Sequence, residues 1–273
     1  MKIESGLFQG QVLQRDNKNF AQAHFQGECE ASGVVEARVL NGAKPLKGLD
    51  WKAAGKAAQG KFSGKLAKIP AGGPYRVELR IVANGKSAEA LTIKDVFAGD
   101  VWFMAGQSNM QGIGNMDLAP KPHPQVRCFF MRDEWNVAED PLHFIAEAVD
   151  SVHHKLCNTT RAADEILAKQ RKAAQKGVGV GIFFGIEMHK RTGVPQGLVS
   201  CAHGGTSMEQ WDPAKNSLGG ESLYGAMLRR FRKLGQPMRG ILWYQGCSDA
   251  NDQAAPLYTE RMKKLLAETR KDF

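Results

Sequence analysis

Near Lys94 the chain changes from one hydrophobic rhythm to another, and no single regular architecture accommodates both. Before that point Tyr75, Val77, Leu79 and Ile81 alternate with Arg76, Glu78 and Arg80. A two-residue period of this kind turns one face of a strand inward. Asn84-Gly85 follows, a pair that tolerates the positive φ of a tight hairpin. Val35, Ala37 and Val39 alternate in the same way, and Asn41-Gly42 closes that run. Lys44 to Gly73 is rich in Gly, Ala and Lys, which suits loops and thin edge strands. The expectation for residues 1–95 is a small immunoglobulin-like β-sandwich.

From residue 96 to 273 the rhythm is strand, loop, helix. Val101 to Ala105 is a continuous apolar run bounded by Asp100 and Gly106, as in a strand buried on both faces. Val126 to Met131, Gly197 to Cys201 and Gly240 to Tyr244 predict further strands. Ile182 to Lys190, Tyr224 to Leu234 and Pro256 to Lys271 predict helices, the last with Leu257, Met262, Leu265 and Leu266 on one face. Thr160 to Lys176 has a thin apolar stripe and reads as a surface helix or lid. This alternation predicts a parallel sheet covered by helices on both sides. The final helix at Phe273 stands where another strand would normally follow, so a continuing segment or a second chain is expected to complete the sheet.

Charge and cysteine content narrow the function classes. The net charge is +9, but the basic residues are dispersed and accompany no nucleic-acid-binding pattern. Arg229-Arg230-Phe231-Arg232-Lys233 and Lys263-Lys264 are read as solvated helix faces. Apolar runs such as Ile182-Phe183-Phe184 are far too short to cross a bilayer, so neither nucleic acid nor membrane is expected as a partner. Cys29, Cys128, Cys157, Cys201 and Cys247 are an odd, scattered set, expected to be free buried thiols. The amino terminus lacks a signal-peptide stretch, which leaves location open. His153-His154 stands without supporting acidic or cysteine ligands, so no metal is expected.

The chemistry concentrates in three loops at the carboxyl ends of the expected strands, where open α/β sheets bind ligands. They are Gly106 to Met110, Ala202 to Ser207, and Gln245 to Asp249. Ser108 follows the first buried strand, with Gly106 permitting a sharp turn. A serine there has an exposed Oγ and an N–H at a helix start that favours developing negative charge. Met110 stands where a lipase-type elbow has its second glycine, so this is a different motif. Gly204-Gly205 can bring a backbone N–H close to a ligand, and Gln245 can direct an amide into the same space. A plain turn, a flexible loop and a satisfied buried amide are the competing readings of the three.

Asp100-Val101-Trp102-Phe103-Met104-Ala105-Gly106-Gln107-Ser108-Asn109-Met110 closely resembles the nucleophile block of the sialate O-acetylesterase family, a group of SGNH-type hydrolases. His203-Gly204-Gly205-Thr206-Ser207, Gln210-Trp211-Asp212-Pro213 and Trp243-Tyr244-Gln245-Gly246 resemble further family segments in order. Val12-Leu13-Gln14-Arg15 and Gly72-Gly73-Pro74-Tyr75 resemble the β-sandwich that often precedes the catalytic domain. The resemblance implies a flavodoxin-like α/β domain, here without its last strand, that removes acetyl groups from sugars. It implies Ser108 as nucleophile and the Ser108 N–H, the Gly205 (or Gly204) N–H and the Gln245 side chain as oxyanion donors. Gln107, Asn109, His203, Gly204 and Trp211 are implied near substrate, and neither metal nor organic cofactor is implied. Family members are often secreted or periplasmic.

Two departures stand out. Cys247 replaces the family's glutamate, and the chain stops before the family's Asp-x-x-His segment, which carries the general base. That histidine is expected from a carboxyl-terminal segment or a second chain. His203 is the alternative base nearest in sequence, whereas His24, His123, His143, His153, His154 and His189 are placed in structural or irregular settings. A binding protein that kept the pocket without the base, with Trp211, Trp243 and Tyr244 stacking on sugars, is the competing function. An esterase for acetylated xylan, pectin or a small ester is a third.

Overall fold

Strands fill the first hundred residues. The computed structural model describes every residue from Met1 to Phe273. By internal packing the chain divides into two units. The first is Met1–Val101 with Thr192–Gly197 and Arg232–Arg239; the second is Trp102–Arg191, Leu198–Phe231 and Gly240–Phe273. The whole is a mixed α/β fold with a large, mainly antiparallel sheet.

In the first unit the strands are β1 (Lys2–Ser5), β2 (Val12–Gln14), β3 (Phe20–Glu28), β4 (Gly33–Asn41), β5 (Lys44–Pro45), β6 (Lys52–Ala58), β7 (Lys61–Pro70), β8 (Gly72–Ala83) and the long β9 (Lys86–Gly106). They are ordered β1-β3-β7-β6-β4-β8-β9, with β2 parallel to β9. Alternate residues of every long strand enter one core: Ala23 and Phe25, Val35 and Val39, Phe62 and Leu66, Val77 and Leu79, and Ile93. A single hydrogen-bonded path can enclose one core only by curling over it. Asn84 and Gly85, both at positive φ, turn β8 into β9.

The expectation of loops and thin edge strands over Lys44 to Gly73 is corrected by β7. It is an interior strand, paired with β3 on one side and β6 on the other. Gly64 and an irregular register near Ala21 and Ala23 interrupt its alternation, which hid Phe62, Leu66 and Ile69 as one inward face.

The second unit takes the end of β9 as its first strand. β15 (Gly240–Tyr244) runs parallel to it, Gly240 opposite Trp102 and Tyr244 opposite Gly106. On the other side lies β14 (Gln196–Ser200), followed by β11 (Val126–Phe129) and β12 (Trp135–Val137). The Cys201 N–H donates to Met104 O and the His203 N–H to Gly106 O, an in-step advance characteristic of parallel neighbours. β12 is antiparallel to β11, so the sheet is mixed where an all-parallel one was expected. β10 (Gly114–Asn115) and β13 (Lys176–Val178) form a separate small ladder.

Six helices complete this part: α1 (Ser108–Gln111), α2 (Ser151–Cys157), α3 (Asp164–Lys172), α4 (Gly181–Thr192), α5 (Leu223–Leu234) and α6 (Tyr258–Asp272). Met104 packs with Ile182 and Phe184 on one face, while Phe103 meets Phe231 and Phe273 on the other. Helices therefore cover both sides, as the buried strand requires. On α6 only Leu265 of the expected apolar face is buried, and Leu266 stays 47% exposed. α3 is no free lid: Leu167 is buried and Arg171 is held by Glu147. No helix is long and apolar enough to cross a membrane.

The solvated-face reading of Arg229 to Lys233 fails at Arg230, which is 1% exposed. Its guanidinium donates to Ser200 O at the end of β14, at 2.5 Å, and to Phe129 O and Phe130 O at the end of β11. Arg229 beside it grips Asp133 and Asp150. Charge run alone cannot distinguish a solvated arginine from one whose guanidinium closes strand ends with three bonds to carbonyls. Two of the cysteines, Cys157 and Cys247, are exposed rather than buried, and all five are free. Burial pushes the Cys128 and Cys201 thiols up to about 12.

Replacing Arg230 by Met takes its donors from Ser200 O and Phe129 O and leaves Phe130 O with the Asp133 N–H alone, each lost bond to a buried carbonyl costing about 1–3 kcal/mol. The expected loss of unfolding free energy is about 3–5 kcal/mol in urea titration. A loss below about 1 kcal/mol would show that the carbonyls find other partners.

Candidate active site

The first turn of α1 is built by a backbone approach that only glycine permits. Gly106 has φ 133°, and a Cβ there would stand 2.2 Å from Tyr244 O. β9 therefore ends tight against β15, and the chain leaves the sheet with the Gln107 N–H donating to Tyr244 O at 2.9 Å. Gln107 O then accepts from Met110 and Gln111 N–H, and Ser108 O from Gly112 N–H. The N–H groups of Ser108 and Asn109 have no acceptor in the protein, as first-turn donors do not. Ser108 is half-buried, and its hydroxyl is bonded to no other residue.

The loop after β14 comes alongside. A Cβ on Gly204 would lie 3.7 Å from Ser108 Cα. The Gly204 N–H donates to Gln111 Oε1 at 2.5 Å, so it is not free for a ligand. The Gly205 N–H has no acceptor in the protein, and its φ of 71° turns the backbone at that point. Of the two glycines, Gly205 is the available donor.

The loop after β15 is tied to the same turn by Gln107. Its Oε1 accepts from Gly246 N–H at 3.0 Å and Ser248 N–H at 3.3 Å, and the residue is 4% exposed. Gln107 is thus a strut between the two loops. Gln245 is engaged as well. Its Nε2 donates to Thr206 O at 3.0 Å and to Asp249 Oδ2 at 2.5 Å, which occupies both amide hydrogens. In this arrangement Gln245 presents no N–H to an oxyanion. Asn109, half-buried and without a side-chain hydrogen bond, is left free to meet a ligand.

Trp211 and His203 lie inside the fold rather than on a substrate face. Trp211 is fully buried, donates to Thr206 Oγ1 at 3.0 Å and packs edge-on against Trp243. Tyr244, 46% exposed, and the half-buried Trp243 are the aromatics of this group that solvent reaches. His203 Nδ1 lies 2.9 Å from His153 Nδ1, with the rings stacked, and its Nε2 faces Cys157 Sγ at 3.7 Å. No hydrogen bond joins His203 to Ser108. None of the other histidines is bonded to Ser108 either. His154 reaches Ala148 O, His123 stacks near His189, and His143 is buried with neither ring nitrogen bonded.

Two residues that sequence reasoning did not single out organise the site. Gln111, one turn beyond Ser108, fixes Gly204; its place at i+3 on a one-turn helix was the available signal. Asp249 is 1% exposed and accepts from Met208 N–H and Gln245, with Arg261 3.7 Å from its other oxygen. No group of His, Cys, Asp and Glu has the geometry to hold a metal ion.

A model of the family described as carbohydrate esterase, sialic acid-specific acetylesterase, matches residues 98–273. The chain belongs to that carbohydrate esterase family, a class of carboxylic ester hydrolases. A probable carbohydrate esterase of Arabidopsis thaliana is 29% identical over 195 residues, covering 63% of this chain and 64% of its own. The sialate O-acetylesterases of Pongo abelii and Homo sapiens are 26% and 24% identical, each over 74% of this chain and 41% of their own. The chain thus spans less than two thirds of these relatives' lengths. The crystal structure of a carbohydrate acetylesterase from Xanthomonas citri shares the fold, with TM-score 0.62 and 24% identity over 99% of this chain and 57% of that one.

The buried histidines set an acid response. Burial pushes His143 down to about 3 and His203 to about 4, and holds His153 well below the usual range, with Arg230 adding to the effect on His143 and His153. Unfolded histidine titrates near 6.5, so below that pH the unfolded chain binds more protons and stability falls as pH falls. Asp140, raised to about 7 by burial, acts with the opposite sign across the same window. In urea titrations from pH 7.5 to 4.5, His143→Phe is expected to flatten the acid loss by up to about 1.4 kcal/mol per pH unit. An unchanged slope would mean that His143 titrates normally in the fold.

Proposed function

We propose that this chain is the serine-nucleophile portion of an esterase that removes O-acetyl groups from carbohydrates. We also read its catalytic sheet as flavodoxin-like, of the SGNH hydrolase type, and its amino-terminal unit as an immunoglobulin-like sandwich. The observation that carries the functional reading is Ser108 itself. It opens a helix directly after a buried strand, its hydroxyl and N–H unengaged, with Gly204 beside it.

In the reaction Ser108 Oγ attacks the acetyl carbonyl while its proton passes to a general base. The tetrahedral oxyanion is held by the Ser108 and Gly205 N–H groups, each worth about 3 kcal/mol when aimed at it. The intermediate collapses to an acetyl-serine, and the sugar hydroxyl leaves with a proton. Water, deprotonated by the same base, then attacks the acetyl-serine and releases acetate and Ser108. Gln245 joins the oxyanion hole only if its amide leaves Thr206 and Asp249. Its role in the free protein is to brace the β15 loop.

The base is a histidine from outside Met1–Phe273, contributed by a further segment or a second chain. What supports this is the location of the seven histidines, none of which meets Ser108. A serine without an adjacent base is a poor nucleophile. The rival reading, a sugar-binding protein without catalysis, loses one of its three stacking aromatics with Trp211 fully buried and keeps the exposed Tyr244.

The test is acetate release from 4-nitrophenyl acetate and from acetylated sugars. It compares this chain, a carboxyl-extended form, and Ser108→Ala in each. Activity in the extended form that falls about 10³-fold or more in Ser108→Ala is expected. Ser108-dependent activity of equal size in the short chain would place the base within it. Activity indifferent to Ser108 in both forms would remove the nucleophile from the proposal.

A further inference from the structure

On the outer face of β3, β7 and β6, three cations line one concavity without a carboxylate partner. The cavity measures about 620 Å³ and is lined by His24, Gln26, Lys56, Ser63, Lys65 and Arg232, among others. All six are exposed. Register fixes their arrangement: Lys65 stands opposite His24, and Ser63 opposite both Gln26 and Lys56. Same-face neighbours on a strand lie about 7 Å apart and adjacent strands about 5 Å. The donors thus form a plate of roughly 7 by 10 Å, the scale of one or two sugar rings. Ala54, Gly55 and Gly64 also line it.

Charge pairing is distributed unevenly across this unit. Arg15, Arg38, Arg80 and Lys61 each meet a carboxylate, whereas Lys56, Lys65 and Arg232 meet none. Lys61, neutralised by Glu4 and Glu28, ends the positive stretch along β7. The imidazole of His24 is the side-chain ring exposed at the cavity, since Phe25 points into the core at 2% exposure. A neutral sugar or a nucleic-acid base would find only one imidazole to stack on here, and no Trp, Tyr or Phe face. Lysine and arginine offer charge-assisted bonds to carboxylates, and Ser63 and Gln26 can bond neighbouring hydroxyls.

We propose that this groove is a binding site for carboxylate-bearing oligosaccharide, separate from Ser108. It gives the amino-terminal unit a ligand of its own: an acidic glycan held by Lys56, Lys65 and Arg232.

The experiment is ¹H–¹⁵N NMR titration of the Ser108→Ala chain with trigalacturonic acid. Its methyl ester serves as the uncharged counterpart and a short oligothymidine as the nucleic-acid arm. Because Ser108 is absent throughout, the result is independent of the esterase reading. Saturable shifts at Ser63, Lys65 and Lys56, with a Kd near or below about 1 mM, are expected with the acid and not with the ester. Lys65→Ala and Arg232→Ala should each weaken binding about tenfold, the size of one charge-assisted bond at a wet surface. Lys44→Ala with Lys47→Ala, on the same unit but outside the groove, should leave it unchanged. The proposal is overturned by absence of saturable shifts, by equal binding of the methyl ester or the oligothymidine, or by equal loss in the Lys44/Lys47 control.

Discussion

The approach of Gly106 to the carbonyl of Tyr244 sets the position of everything chemical in the second unit. A side chain at Gly106 would occupy the space of Tyr244 O. β9 and β15 therefore stay paired to their last residues, and the chain leaves the sheet at one fixed point. Gln107 extends that constraint by receiving two N–H groups from the 246–248 backbone. Ser108 then sits at the start of a helix with its own donors unused, the local condition for a stabilised oxyanion.

A second layer of constraint comes from arginine. Arg230 closes the carbonyl ends of β11 and β14 just before the chain enters Cys201 to Gly205. Arg229 fixes Asp150, the residue preceding α2, and α2 carries the His153 that meets His203. Gln111 finally holds Gly204. The glycine loop beside Ser108 is thus defined by buried hydrogen bonds at each end, as a preorganised donor site requires.

The order of strands and helices was readable because the buried runs are long and their turns carry glycine, asparagine or proline. Val101 to Ala105, Gly240 to Tyr244 and the α4 and α5 segments lie where hydrophobic rhythm places them. β7 escaped because glycine and an irregular register break its alternation. The three loops of the site were readable as a set, through strand ends and small residues. The direction of each side chain was not. Gln245 faces Thr206 and Asp249, Trp211 sits in the core and His203 pairs with His153. All three depend on partners 4 to 50 residues away. Arg230 was hidden for the same reason, since its carbonyl partners lie on distant strands and leave no pattern near it.

The central claim is that Ser108 is the group that attacks the acetyl carbonyl. The most direct measurement is to treat the carboxyl-extended protein with a phosphonate ester that traps serine nucleophiles and map the adduct by peptide mass spectrometry. The account predicts one stoichiometric adduct on the peptide containing Ser108, absent from Ser108→Ala. An adduct on another residue, or labelling unchanged in Ser108→Ala, would contradict it.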